Sequence, residues 1–191
     1  MLKILKLSLV LGVFFVSLNA TDKQSLKIIP CVEVIDVKLG YYFTKRKVFV
    51  RDNECITSTD SILLNSETNQ SIELEGFATG IQQFTLHDKE ILRVNSHMGA
   101  HTNAVLFFFI ESNGDLVLVK KGMMASDIGN PSVNISSMNN TIEVKTYYSK
   151  EKFVNDELCR SLVENSFRYD YKKREFMQTG SKVTMSECED E

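Results

Sequence analysis

Beyond residue 20 the chain repeats one pattern: a short run rich in Val, Ile, Phe, Tyr and Leu, a polar turn, then another such run. Branched and aromatic side chains suit a pleated surface, and Gly, Asn and Asp reverse it, so the pattern predicts antiparallel hairpins. The most explicit is AVLFFFIE, SNGD, LVLVKK at residues 104–121, where Asn113 and Gly114 are expected to supply both positive-φ positions of a two-residue type I′ turn. In residues 133–148, Asn139 and Asn140 take the same role and Ile135 is expected opposite Val144. Residues 80–96 turn at Asp88 and Lys89, with Leu86 and Ile91 just inside, and residues 61–75 turn through Asn65 to Gln70. Residues 31–55 make the first pair and 164–180 the last, turning near Lys173 and Arg174.

Turn centres therefore fall near positions 43, 67, 88, 113, 139 and 173. The expected fold is all-β: an antiparallel meander of about a dozen strands closed into a sandwich or barrel. Only Pro30 and Pro131 interrupt it. A partial propeller-like assembly is the alternative, although blades of about 45 residues would leave the chain short of the usual four. One stretch resists strands. In residues 150–163, Val154, Leu158 and Leu162 recur every four positions behind Ser149, so a short helix competes there with an irregular connection. The unbroken apolar run Ala104 to Ile110 is expected to be buried on both faces, at the centre of the core.

The first twenty residues place Lys3 and Lys6 ahead of a twelve-residue apolar run, Leu7 to Leu18, and end on Ala20. That reads as a secretory signal peptide, since a membrane span needs about 20 apolar residues. Residues 21–191 are then one exported all-β domain, periplasmic or extracellular, with an acidic tail at Glu187, Glu189, Asp190 and Glu191. No later run is long enough to span a bilayer. Two of the 22 basic residues and none of the 25 acidic ones lie in the leader, so the remainder carries a formal charge of −5. No basic patch argues for nucleic acid or anionic lipid.

All four cysteines, Cys31, Cys55, Cys159 and Cys188, lie in the exported part and read as disulfides. Opposed residues of a hairpin share a midpoint: that of Cys31 and Cys55 is the first turn centre, and that of Cys159 and Cys188 is the last. This selects Cys31 with Cys55 and Cys159 with Cys188, each stapling the mouth of a terminal hairpin.

Candidate chemistry is sparse. His97 and His101 lie four apart in SHMGAHT, but on one strand they would stand about 13 Å apart. Gly99 and Asn103 mark a loop, and no glutamate supplies the HExxH spacing. No nucleophile elbow, phosphate cradle, calcium loop or other cofactor motif is present. Phe167, Tyr169 and Tyr171 form an alternating aromatic row, readable as strand packing or as a binding face for a glycan or protein. Asn69, Asn134 and Asn139 begin Asn-x-Ser/Thr glycan acceptor patterns. The leading functional expectation is a non-enzymatic binding or envelope-associated protein whose partner is another exported protein or a cell-wall glycan. Two others stay open: a secreted hydrolase, metal-dependent or carboxylate-based, with its site near His97 and His101, and a structural assembly subunit.

Overall fold

A computed structural model of the chain describes residues 31–188 apart from 53, 100, 137, 138, 155 and 156, so the expected signal peptide and the last three residues of the acidic tail lie outside it. The described residues form twelve strands: β1 (Val34–Leu39), β2 (Tyr42–Arg51), β3 (Glu54–Asn65), β4 (Gln70–Leu74), β5 (Phe77–Leu86), β6 (Lys89–Met98), β7 (Thr102–Ile110), β8 (Leu116–Ser126), β9 (Ser132–Ser136), β10 (Thr141–Val154), β11 (Glu157–Asp170) and β12 (Glu175–Cys188). Strands β1 to β4 form one sheet, and the other eight form a second in the order β5-β6-β7-β8-β12-β11-β10-β9. Every neighbouring pair is antiparallel except β8 with β12, which meet in parallel at Lys120 and Glu175. Strands β5–β8 and β9–β12 thus share a sheet instead of standing as separate blades.

Burial explains the arrangement. Alternate residues of β6 and β7 face opposite ways, and both faces are covered. Leu92, Val94, Leu106 and Phe108 pack with Tyr42, Leu63 and Leu74 of the four-stranded sheet. Ile91, Val105 and Phe107 pack instead with Ile142, Val144, Tyr169 and Phe176, inside the curl of the eight-stranded sheet. The run expected at the core centre is there: Ala104 to Phe108 are all buried.

Several local expectations need correction. The described residues of 150–163 hold no helix; they are the outer half of the paired strands β10 and β11, joined without a shift to Val154↔Glu157, and residues 155 and 156 lie outside the described set. A spacing of four is also two steps of the strand repeat, and here cross-strand pairing decides. The first reversal is at Gly40 and Tyr41, not near 43, and a second at Asp52 makes residues 31–55 span three strands rather than one hairpin. Both expected disulfides form, but Cys31 ties the segment ahead of β1 to β3, on the far side of β2. Cys159 and Cys188 do face each other across β11 and β12, as the midpoint argument requires.

Three turns are shifted or rebuilt. The β5–β6 turn uses His87 and Asp88, at φ 49° and 61°, one residue earlier than expected. In the β7–β8 turn only Gly114 has positive φ. Asn113 instead accepts a hydrogen bond from the Asp115 amide through its side chain (3.1 Å), closing a three-residue loop with Glu111 and Asp115 paired at its base. Ile135 pairs with Ile142 rather than Val144, because Ser136 opposes Thr141 and the connection is longer than two residues; among its described residues only Asn140 takes positive φ.

Ion pairs finish the closure. Glu175, at the β8–β12 meeting, lies 2.6 Å from Lys120 and 3.8 Å from Lys121, while Glu164 on β11 lies 3.1 Å from Lys145 and 3.4 Å from Lys182. Hydrogen bonds from Lys120 and Lys145 respectively hold both carboxyls below the usual carboxylate range, against the opposing effect of burial. A depressed folded pKa means stability that is present at neutral pH and lost as pH falls through that value. Acidification below about pH 4 should therefore lower the melting temperature, and Glu164→Gln should flatten this acid limb while lowering stability at pH 7. An unchanged acid limb in the variant would refute the assignment. Gly76, where the chain passes between sheets, has φ +76° and room for no side chain: a Cβ would stand 2.1 Å from the His97 carbonyl oxygen. Gly76→Ala should cost about 3 kcal/mol or more in denaturant unfolding. Gly180→Ala, where a Cβ meets nothing within 4 Å, is the control.

Candidate binding cleft at the turn end

An up-and-down meander sends alternate turns to opposite ends, so the six turns that begin at Gly40, Ser66, His87, Glu111, Asn139 and Tyr171 belong to one end. Contacts knit them together. The Ser66 amide donates to the Tyr41 carbonyl (3.0 Å), and Asn65 Nδ2 donates to the Gly114 carbonyl (2.8 Å). His87 Nε2 lies 3.1 Å from the Asn140 carbonyl oxygen, and its ring stacks on Tyr171 with centroids 3.9 Å apart. His87 is thus held in a left-handed conformation that non-glycine residues seldom adopt, by contacts from two other hairpins.

Beside this ring pair opens a cleft of about 530 Å³, lined by His87, Asn139, Asn140, Arg168, Tyr171 and Gln178 among others. That volume lies within the range of small-ligand sites, about 300–1,000 Å³. Arg168 is oriented by a fork onto Glu143, with Nε at 3.1 Å and Nη2 at 2.6 Å from the same oxygen. Asp170 Oδ1 accepts from the amides of Lys172 and Lys173 (2.9 and 3.1 Å), which shapes the basic turn whose Lys172 lines the cleft. The site therefore combines an aromatic surface, carboxamides with both donors and acceptors, and fixed charges of both signs. A second cleft of similar size lies between the first, second and fourth of these turns, where Glu67 and Glu111 give it an acidic lining.

The aromatic row divides. Phe167 packs against the inner core and Tyr169 is buried in it, edge-on to Phe109 at 6.1 Å, and burial pushes the Tyr169 hydroxyl pKa up. Phe167 is half-buried, and of the three only Tyr171 is exposed, at 47%. His97 is the penultimate residue of β6, with Nδ1 2.7 Å from Asn103 Oδ1 and its ring against Phe77, whereas His101 is exposed in the next turn. Among the described residues no group of three His, Cys, Asp or Glu side chains is placed to hold a metal. His87, Arg168 and Gln178 are additions that no motif announced, while Asn139 and Asn140 were visible only as turn residues, Asn139 also as a glycan acceptor. Asn69, Asn134 and Asn139 are all exposed.

Comparison with protein-family models finds no match, and comparison with curated protein sequences finds none either. The division of the aromatic row has a direct test in stability. Tyr169→Ala should cost about 3–5 kcal/mol, as for other large buried rings. Tyr171→Ala should cost about 1 kcal/mol or less, the scale of one exposed aromatic contact. Equal losses in chemical denaturation would contradict the assignment.

Proposed function

We propose that the chain is an exported, non-enzymatic binding protein that recognises an envelope or extracellular saccharide in the cleft at the turn end. Export is supported by the charged and apolar leader followed by a small residue, and by two disulfides that take up all four cysteines. Among the described residues no helix is long and apolar enough to cross a membrane.

The observation that carries the reading is the ring pair of half-buried His87 and exposed Tyr171 on the wall of an open cleft rimmed by Asn139, Asn140, Arg168 and Gln178. A sugar presents an apolar C–H face and a rim of hydroxyls. A ring that has one face supported by a neighbour and the other free takes the former, and carboxamides and a guanidinium take the latter. The site is held by hydrogen bonds within and between turns, so little ordering cost falls on binding.

Calorimetric titration with soluble N-acetylglucosamine oligosaccharides tests this, because their acetamido groups match the carboxamide rim. Saturable binding is expected, weakened at least about tenfold by Tyr171→Ala, the effect of losing a central aromatic contact. Binding that ignores both Tyr171→Ala and Arg168→Ala would remove the cleft as the site. Release of new reducing ends during the titration would overturn the non-enzymatic reading.

A further inference from the structure

We infer that the outer half of β10, from Tyr148 to Val154, is a docking edge for an extended acidic segment of another protein, which adds to the sheet as a further strand. This surface is at the opposite end from the cleft and stands independently of it.

The sheets have few usable edges. Strands β4 and β9 have five residues each, and β1 has six. Beyond Arg46 the β2–β3 arm is broken by a register shift, β8 is broken between Leu106↔Met123 and Phe108↔Leu118, and β12 is shifted twice against β11. Such bulges disrupt a free edge as a template. β5 packs beside β1. β10 is different. It is 14 residues long, its pairing with β11 carries no shift, and β9 covers its other side only as far as Lys145.

The open peptide groups can be identified. Tyr147 accepts hydrogen bonds from the amides of Asp127 and Ile128 (2.9 and 3.2 Å) and donates to Ser126 Oγ (3.0 Å), so its main chain faces away from β11. Strand alternation then directs the N–H and C=O groups of Ser149, Glu151 and Phe153 to the same side. Among the described residues nothing meets them. Phe153 is 70% exposed and Val154 41%, so the edge offers apolar surface as well as hydrogen bonds.

Charge selects the occupant. Lys150 and Lys152 lie on the β10 face that carries Ile142 and Val144 deeper in, and no carboxylate among the described residues pairs with either. Glu151, on the opposite face, is already neutralised by Arg160 at 3.0 Å. A second copy pairing edge to edge is disfavoured. Opposed residues of an antiparallel ladder must both point their peptide groups at the partner or both away from it, so the two-fold axis passes through a residue, and an overlap of five or more residues of the Tyr148–Val154 edge confines it to 150, 151 or 152. Each choice sets Lys150 or Lys152 against Lys150 or Lys152 of the other copy, and like charges directly opposed are destabilising. A foreign strand with apolar ends and two acidic residues one position apart fits all four inner side chains, Tyr148, Lys150, Lys152 and Val154.

The probe is the acetylated, amidated heptapeptide Val-Thr-Glu-Thr-Glu-Thr-Val, which reads the same in either strand direction. Added to the full chain at low salt, it should slow amide exchange at Ser149, Glu151 and Phe153, and leave Tyr148, Lys150 and Lys152, already bonded to β11, unchanged. Replacing both glutamates of the peptide by lysine should weaken binding about tenfold, and the K150E/K152E chain should reverse that preference. Ser149→Pro, which removes an outward N–H, should abolish the protection. Equal binding of both peptides, protection away from this alternating set, or slowed exchange at the same amides through self-association without peptide would each overturn the proposal.

Discussion

Two neighbouring strands with no solvent face set the terms for this fold. Once β6 and β7 carry apolar side chains on both sides, including the fully buried Leu92 and Val94 and the run from Val105 to Phe108, each side needs its own cover. Fully burying one such side chain is worth about 1.5–3 kcal/mol, so neither cover is dispensable. The four-stranded sheet supplies one, through Tyr42, Leu63 and Leu74. The curled continuation of the central sheet supplies the other, and because β8 meets β12 at one parallel bridge, the curl is held chiefly by side chains such as Phe107 on Phe176, 4.9 Å apart between centroids.

The covalent links sit where this burial runs out. Beyond Arg46 and Ser61 the β2–β3 arm has lost both lateral neighbours, and Phe49 and Val50 are exposed. Beyond Tyr147, β10 has lost its neighbour on the β9 side and is exposed from Ser149 to Val154, although β12 still pairs with β11. One disulfide lies in each arm, joining Cys31 to Cys55 and Cys159 to Cys188. A cross-link acts by removing conformations from the unfolded chain, and needs no apolar partner layer to do so. The arms therefore keep their strand pairing without a core beneath them.

How much of this was legible in the chain depends on the range of the interaction. The apolar run at Ala104 to Ile110, the alternation through Ile142 and Val144, and the turn residues at Asn65 to Gln70 and Asn140 are local signals, and the strands and most reversals follow from them. The helix option at 150–163 failed because Val154, Leu158 and Leu162 satisfy two periodicities, and only pairing with β10 separates them. The early turn at Gly40 was hidden by the aromatic run that follows it. The cleft was not legible at all as a site. His87, Asn140 and Arg168 are far apart in sequence, and what joins them is the order β12-β11-β10-β9 in the curled sheet, which no local pattern encodes. Within the row Phe167, Tyr169 and Tyr171, alternation correctly grouped the three but could not say that the core would claim two of them.

The two ends of the molecule differ for a physical reason that bears on function. At the turn end the reversals are tight, and tight reversals demand positive φ, which Asn, Asp, Gly and occasionally His adopt at least cost. Asn69, His87, Asp88, Gly114 and Asn140 all do so there. Except for glycine, these residues carry hydrogen-bonding side chains, so the requirement that folds the hairpins also stocks their end with donors and acceptors. Tyr171 and His87 then stack because the curl brings their hairpins together, and a polar rim acquires an aromatic wall. At the other end the long strands of β10 and β11 outrun the core, and what is exposed is backbone edge rather than turn chemistry. A small molecule with polar rims suits the first surface; a polypeptide in extended form suits the second.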